Sequence, residues 1–212
     1  ETKVFAPGYG EFFSGGGHDF EANALAVPAD ARHGAVPAGL RAVTSGVRTL
    51  AASPRTPDWP AAASVVRRTR AAWDAYRNES VPTRLADRMD RAIGELERAV
   101  ADQRVRAATQ AALDVTDAGL DLELEYLSPA AVNLARLDLW THQLSLDAAA
   151  RAGGAVHGDL MTLGWIRDRL TLDHTASQTI DDELRYLDAA ADAGEYGAVA
   201  VHAARIHGKT SG

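Results

Sequence analysis

From Val36 onward the chain is cut at regular intervals by signals that start and stop helices, and this punctuation limits the fold more than any other feature. Pro37, Pro60, Pro82 and Pro129 each stand where a helix can begin, the place where proline's missing N–H leaves nothing unpaired. Ser80-Val81-Pro82 and Ser128-Pro129 read as start signals, Ser177 as a cap before Ile180, and Gly153-Gly154 and Gly194 as stops. Between these marks apolar residues recur at helical spacing, and no segment alternates as a half-buried strand does. The expected architecture is all-α: an antiparallel helical-hairpin bundle of about eight helices, near residues 37–53, 60–77, 82–101, 103–127, 129–151, 155–173, 177–193 and 195–207. The connections are short, so consecutive helices should run antiparallel.

Residues 1–34 break this pattern. All four Phe of the chain (Phe5, Phe12, Phe13, Phe20) fall here, with Tyr9 and the glycines Gly8, Gly10, Gly15, Gly16 and Gly17, and no helical period is visible. The segment is read as an extended Gly/Phe-rich N-terminal arm whose aromatic rings need a surface to pack on. Residues 35–212 are read as a single helical-bundle domain, a length that supports its own core without a staple. Within it, Met89-Asp90, Ile93 and Leu96 echo in Ile180-Asp181, Leu184 and Leu187 at a spacing of 91 residues. Ala107-Ala108 likewise echoes in Ala198-Val199, an indication of an internal duplication.

Composition removes several function classes. With no Cys there can be no disulfide framework, thiolate metal site or cysteine nucleophile. A formal net charge of -7 lacks the basic footprint of a nucleic-acid-binding module, and no apolar run reaches the roughly 18 residues of a membrane span. The charge is unevenly placed: residues 1–106 carry 15 basic against 13 acidic groups, residues 107–212 carry 7 against 16. An acidic C-terminal half suits a cation or a basic partner. The strong preference for Arg over Lys and the abundance of Ala fit a GC-rich bacterial genome. Because the sequence begins at Glu1, the expected location is extracytoplasmic, as a secreted or lipid-anchored protein.

Candidate site residues emerge where polar groups fall between apolar faces. On a wheel of residues 132–149, Leu134, Leu137, Leu144 and Ala148 form one apolar group and Val132, Leu139 and Leu146 another. Arg136, Gln143 and Asp147 on one side read as the solvent face; either the helix is packed on one side only, or Asp138, His142 and Ser145 point inward. In the next helix Asp159 and Arg167 fall inside the apolar arc. A hairpin at Gly153-Gly154 sets Asp138 opposite Arg167, predicting an ion pair. The preceding hairpin at Ser128-Pro129 sets Asp114 near His142 and Asp117 near Asp138. The predicted cluster is Asp114, Asp117, Asp138, His142, Asp159 and Arg167, able to hold a metal ion through oxygen and imidazole, to hold a cationic ligand, or to serve as a structural ion-pair network.

At the N-terminus, Gly16-Gly17-His18-Asp19-Phe20-Glu21 spaces a histidine and a carboxylate three apart, so that on a helical turn both could reach one ion. The segment resembles the Gly-x-His-x-x-Glu pattern of the imelysin-like proteins, a helical extracytoplasmic family that includes the EfeO iron-uptake components. The resemblance implies His18 and Glu21 as metal ligands, a divalent metal ion as cofactor, and repeated helical hairpins as the fold.

No Glu-x-x-His, His-Glu-x-x-His, Gly-x-Ser-x-Gly, P-loop or dinucleotide fingerprint occurs, so the corresponding di-iron, protease, esterase and nucleotide chemistries lose their support. The leading expectation is a non-catalytic extracytoplasmic binding or accessory protein that takes a metal ion or other cation through acidic and His residues. The rival is a helical scaffold whose aromatic arm, within residues 1–26, docks on a protein partner while the internal charges are structural. An enzyme using Asp138 and His142 as an acid/base pair ranks last, because no nucleophile accompanies them.

Overall fold

The computed structural model describes residues 2–6, 10–15, 34–51, 58–77, 81–170 and 174–210. Among the described residues eight helices form, α1 (Ala38–Ala51), α2 (Trp59–Tyr76), α3 (Thr83–Ala101), α4 (Val105–Glu123), α5 (Pro129–Ala149), α6 (Gly153–Asp168), α7 (His174–Asp192) and α8 (Tyr196–Thr210), and the fold is an all-α helical bundle. In the arm, β1 (Thr2–Ala6) pairs antiparallel with β2 (Gly10–Gly15), with Val4 opposite Phe13 and a register shift before Phe5. Alternation does not reveal these strands, because the bulge and the glycines interrupt the period of two.

Local chemistry sets most of the helix limits. The Asp58 side chain accepts from the Ala61 N–H at 3.0 Å, with Pro60 in the first turn of α2, and Ser128 accepts from Ala131 at 3.2 Å ahead of α5. Three helices stop in the same way, on a left-handed residue whose N–H bonds the carbonyl three residues back while the next N–H reaches five back. That residue is Gln103 (φ 54°) after α3, Arg151 (φ 56°) after α5 and Gly194 (φ 70°) after α7. Two of the three are not glycine. Gly153-Gly154, expected as a stop, instead opens α6, since Arg151 has already turned the chain. Ser177, expected as a cap, lies within α7, which begins at His174.

Packing divides the helices into two rings. The pairs α1–α2, α2–α3, α3–α4 and α1–α4 close a first four-helix bundle, and α5–α6, α6–α7, α7–α8 and α5–α8 close a second, with α4–α5 as the seam between them. Each ring encloses its own core. Leu40, Val43, Trp73, Met89, Ile93, Leu96 and Val115 fill the first; Leu137, Leu144, Leu163, Leu187 and Val199 fill the second. A smaller group, Leu113, Leu120, Val132 and Leu139, closes the seam. Each such buried side chain contributes roughly 1.5–3 kcal/mol, so each bundle has its own driving force.

The two rings use one burial plan. Leu40, Val43 and Val47 of α1 correspond to Leu134, Leu137 and Thr141 of α5, and Ala62, Val66, Thr69 and Tyr76 of α2 to Val156, Leu160, Leu163 and Leu170 of α6, at a constant spacing. Met89, Leu96, Ala99 and Val100 of α3 correspond to Ile180, Leu187, Ala190 and Ala191 of α7. Ala108, Ala112 and Val115 of α4 correspond to Val199, Ala203 and Ile206 of α8. The second spacing is the 91 residues of the sequence echo. Even a polar device repeats: Trp73 Nε1 donates to Asp90 at 2.8 Å, and at the matching positions Arg167 Nη2 donates to Asp181 at 2.8 Å.

One close approach fixes how α1 meets α4. A methyl group added at Gly119 would fall on Thr44 Cγ2, and Thr44 Oγ1 donates to the buried Glu123 carboxylate at 3.2 Å. Only glycine lets the two backbones come this near.

Candidate functional site

A cavity of about 330 Å³ lies at the seam between the bundles, lined by Arg88 of α3, Gln110, Leu113, Asp114 and Asp117 of α4, Leu139, Trp140 and Gln143 of α5, and Asp159 of α6. Helical spacing explains the wall from α4: Asp114, Asp117 and Asp121 share one face, with Gln110 one turn before them. From α5, Leu139, Gln143 and Asp147 recur at intervals of four on the face turned to α4. Through Gln110 and Asp114 the cavity shares a wall with a neighbouring hollow of about 270 Å³ that is bordered by Glu95, Arg98 and Arg104.

Two glutamines tie the seam. Gln110 Nε2 donates to Gln143 Oε1 and Gln143 Nε2 donates to Gln110 Oε1, each at 2.9 Å. Each amide also donates to the carboxylate one turn further along its own helix, Gln110 to Asp114 at 3.0 Å and Gln143 to Asp147 at 2.7 Å. Those carboxylates accept only, so they fix which end of each amide is nitrogen. Arg106 donates to the other oxygen of Asp147 at 3.1 Å. On the far side of the cavity Arg88 bridges Asp117 and Asp121, and Arg136 closes on Asp121.

The charges do not balance. Asp114, Asp117, Asp121, Asp147 and Asp159 stand against Arg88, Arg106 and Arg136. Burial, followed by the charge of Asp117, raises the Asp121 carboxyl above its ordinary range despite Arg88 and Arg136. Burial also raises Asp114, with Glu95 and Asp117 adding to it and the Gln110 hydrogen bond opposing. Asp159 is the extreme case. Only 5% exposed, it is pushed up to about 7, first by burial and then by the charge of Asp147 and a hydrogen bond to it. No N–H or O–H reaches its Oδ2.

The structure thus brings together three of the six predicted cluster residues, Asp114, Asp117 and Asp159, around one cavity. Asp138 and His142 do not line it. They lie half-exposed on the opposite stripe of α5, while Arg136, Gln143 and Asp147, expected in solvent, form the seam; Asp147 is 8% exposed. Arg167 is inside, as its position in the apolar arc requires, but its partner is not Asp138. Its Nη2 donates to Asp181 Oδ2, and its Nε lies 2.7 Å from Asp181 Oδ1, because α7 and not α5 faces that side of α6. His18 and Glu21 lie outside the described residues. Among the described residues no group of three or more His, Asp or Glu is placed to hold a metal ion, and no helix is long and apolar enough to cross a membrane.

Arg88, Gln110, Trp140, Gln143 and Asp147 were not legible as site residues by helical wheel alone. One signal does point to them. Gln110-Ala-Ala-Leu-Asp114 and Gln143-Leu-Ser-Leu-Asp147 place the same Gln and Asp one turn apart on consecutive helices, on the faces that meet. A separate polar contact lies within the second bundle, where His202 Nδ1 is 2.6 Å from Glu183 Oε2 and the His202 ring stacks on Tyr186 with centroids 3.7 Å apart. The chain matches no protein-family model, no curated protein and no solved structure.

Proposed function

We propose that this protein is a non-catalytic binding protein that takes a cation into the cavity between its two bundles. The observation that carries the reading is Asp159: a carboxyl buried to 5% exposure in the wall of a cavity, with one oxygen that no donor among the described residues reaches. Such a group costs on the order of 1–3 kcal/mol when left unsatisfied, more if charged. Its surroundings add to the need for positive charge. Among the described residues that line the cavity the one cation is Arg88, and it is engaged by Asp117 and Asp121. A cation held among them would offset the burial cost and, after it, the mutual repulsion that raise Asp114, Asp121 and Asp159.

A thermal-shift panel of ammonium, guanidinium and divalent ions tests this. A cation that binds only the folded state raises the melting temperature with the logarithm of its concentration once above Kd. Asp114→Asn with Asp159→Asn should abolish the rise. If no cation in the panel shifts wild type, the proposal fails.

A further inference from the structure

We infer that the ligand is an organic cation bearing N–H donors on an apolar body, and that it enters in exchange for a proton held between Asp147 and Asp159. The inference rests on the cation-binding reading above and names its ligand class and its coupling.

The ligand class follows from the walls. Acceptors are distributed around the cavity on α4 and α6, with no three acids convergent on a point as a metal ion needs. Distributed acceptors suit a cation that carries several N–H groups in different directions. Leu113, Leu139 and the Trp140 ring supply the apolar part of the wall, and an indole face also attracts a positive charge.

The exchange follows from the accounting of donors. Asp147 accepts on both oxygens, from Arg106 on one and from Gln143 on the other. Asp159 has an oxygen that nothing donates to, and Asp147 is the group it hydrogen-bonds. Two carboxyl groups can hydrogen-bond only through a proton, so Asp159, whose Oδ2 receives no hydrogen, is kept as the acid, consistent with its being pushed up to about 7. A ligand N–H can satisfy Asp159 instead, and its charge removes the reason for retaining the proton. The step balances: one cation enters, the Asp159 O–H bond breaks, and one proton leaves to solvent.

Charged groups stand around Asp159 on α3, α4, α5 and α7. Asp147 faces it from α5; Asp114 and Asp117 from α4 and Arg88 from α3 stand across the cavity; Arg106 of α4 acts through Asp147; and Asp181 of α7 is engaged with Arg167. None of them gives Asp159 Oδ2 a hydrogen.

Calorimetric titration of the full chain with benzylammonium, in two buffers of different ionisation enthalpy, reads the proton directly. The expectation is release of nearly one proton per site at pH 6 and almost none at pH 8, with affinity rising about tenfold over that range. Asp159→Asn should bind more weakly, release no proton and lose the pH dependence. Trp140→Ala should weaken binding with the proton release unchanged, which keeps the test open if the Asn variant fails to fold. Benzylammonium binding without proton release overturns the exchange and leaves cation binding standing. Equal affinity for tetramethylammonium, which has no N–H, overturns the donor requirement. Failure of every cation, divalent ions included, takes down the underlying reading as well.

Discussion

Gln110 of α4 and Gln143 of α5 bind each other amide to amide, two hydrogen bonds of 2.9 Å that cross the seam between the bundles. Each amide is held in place by its own aspartate, Asp114 or Asp147, so four side chains form one line across the interface. The arrangement is cooperative in a specific sense: turning either amide over would set its oxygen against its own carboxylate and, across the pair, oxygen against oxygen and nitrogen against nitrogen.

The pair should therefore be worth more than its parts. Gln143→Leu takes the cross-seam bonds from Gln110 and one of two donors from Asp147, leaving them Asp114 and Arg106 respectively, and should lower stability by about 2 kcal/mol. Gln110→Leu should do the same. The double variant should lose much less than the sum, with a coupling of about 1–2 kcal/mol in a urea-denaturation cycle. Simple additivity would mean that the two amides act independently.

Asp159 gives the protein a pH dependence of unusual sign. In the folded state it titrates at about 7, and in the unfolded chain near 3.9. Between those values the native state binds more protons, so this group's contribution falls as pH rises, by roughly 4 kcal/mol across the window. Asp159→Asn removes the effect, and its amide can donate to Asp147 as the acid does. The variant should match wild type near pH 4 and exceed it at pH 8, as read from urea midpoints at the two pH values.

Gly119→Ala should lower stability by about 1–3 kcal/mol, because the new methyl meets Thr44 Cγ2 and must push α1 from α4. The Thr44 hydrogen bond to Glu123 would be disturbed with it. Gly158→Ala makes the control. Its site is open and exposed, so that change should be neutral or slightly stabilising in the same thermal melt.

Gln103 closes α3 at φ 54° and is exposed, so its side chain supplies little to set against the strain. Gln103→Gly should stabilise by about 1 kcal/mol, a rise in melting temperature of a few degrees at most for a chain of this size. Gly194 already holds the matching place after α7. Gly194→Gln should cost what Gln103→Gly gains.

The helical order was legible in the chain for local reasons. Caps and prolines act within a turn, so Pro60 and Ser128-Pro129 announce α2 and α5 without help from the fold. Apolar spacing is equally local, and Met89, Ile93 and Leu96 declare both a buried face and its repeat at Ile180, Leu184 and Leu187. The stops at Gln103 and Arg151 were not legible, because a left-handed residue without glycine is held by the surrounding hydrogen bonds and leaves no compositional mark.

The candidate site marks the limit. The sequence alone determined that α5 has two apolar faces separated by two polar stripes, and that Asp114, Asp117 and Asp159 reach the inside. It could not decide which stripe of α5 is enclosed. Arg136, Gln143 and Asp147 are as polar as Asp138, His142 and Ser145, and either set can face water. Tertiary structure made that choice: α4 packs on the side of Leu139 and Gln143, which turned an apparent solvent face into the seam and left His142 at the margin. It likewise gave Arg167 to Asp181 by placing α7 beside α6. Periodicity fixes how far a side chain lies around its own helix axis, whereas the partner it meets depends on where the next bundle docks, and that is settled by the summed packing of many distant residues.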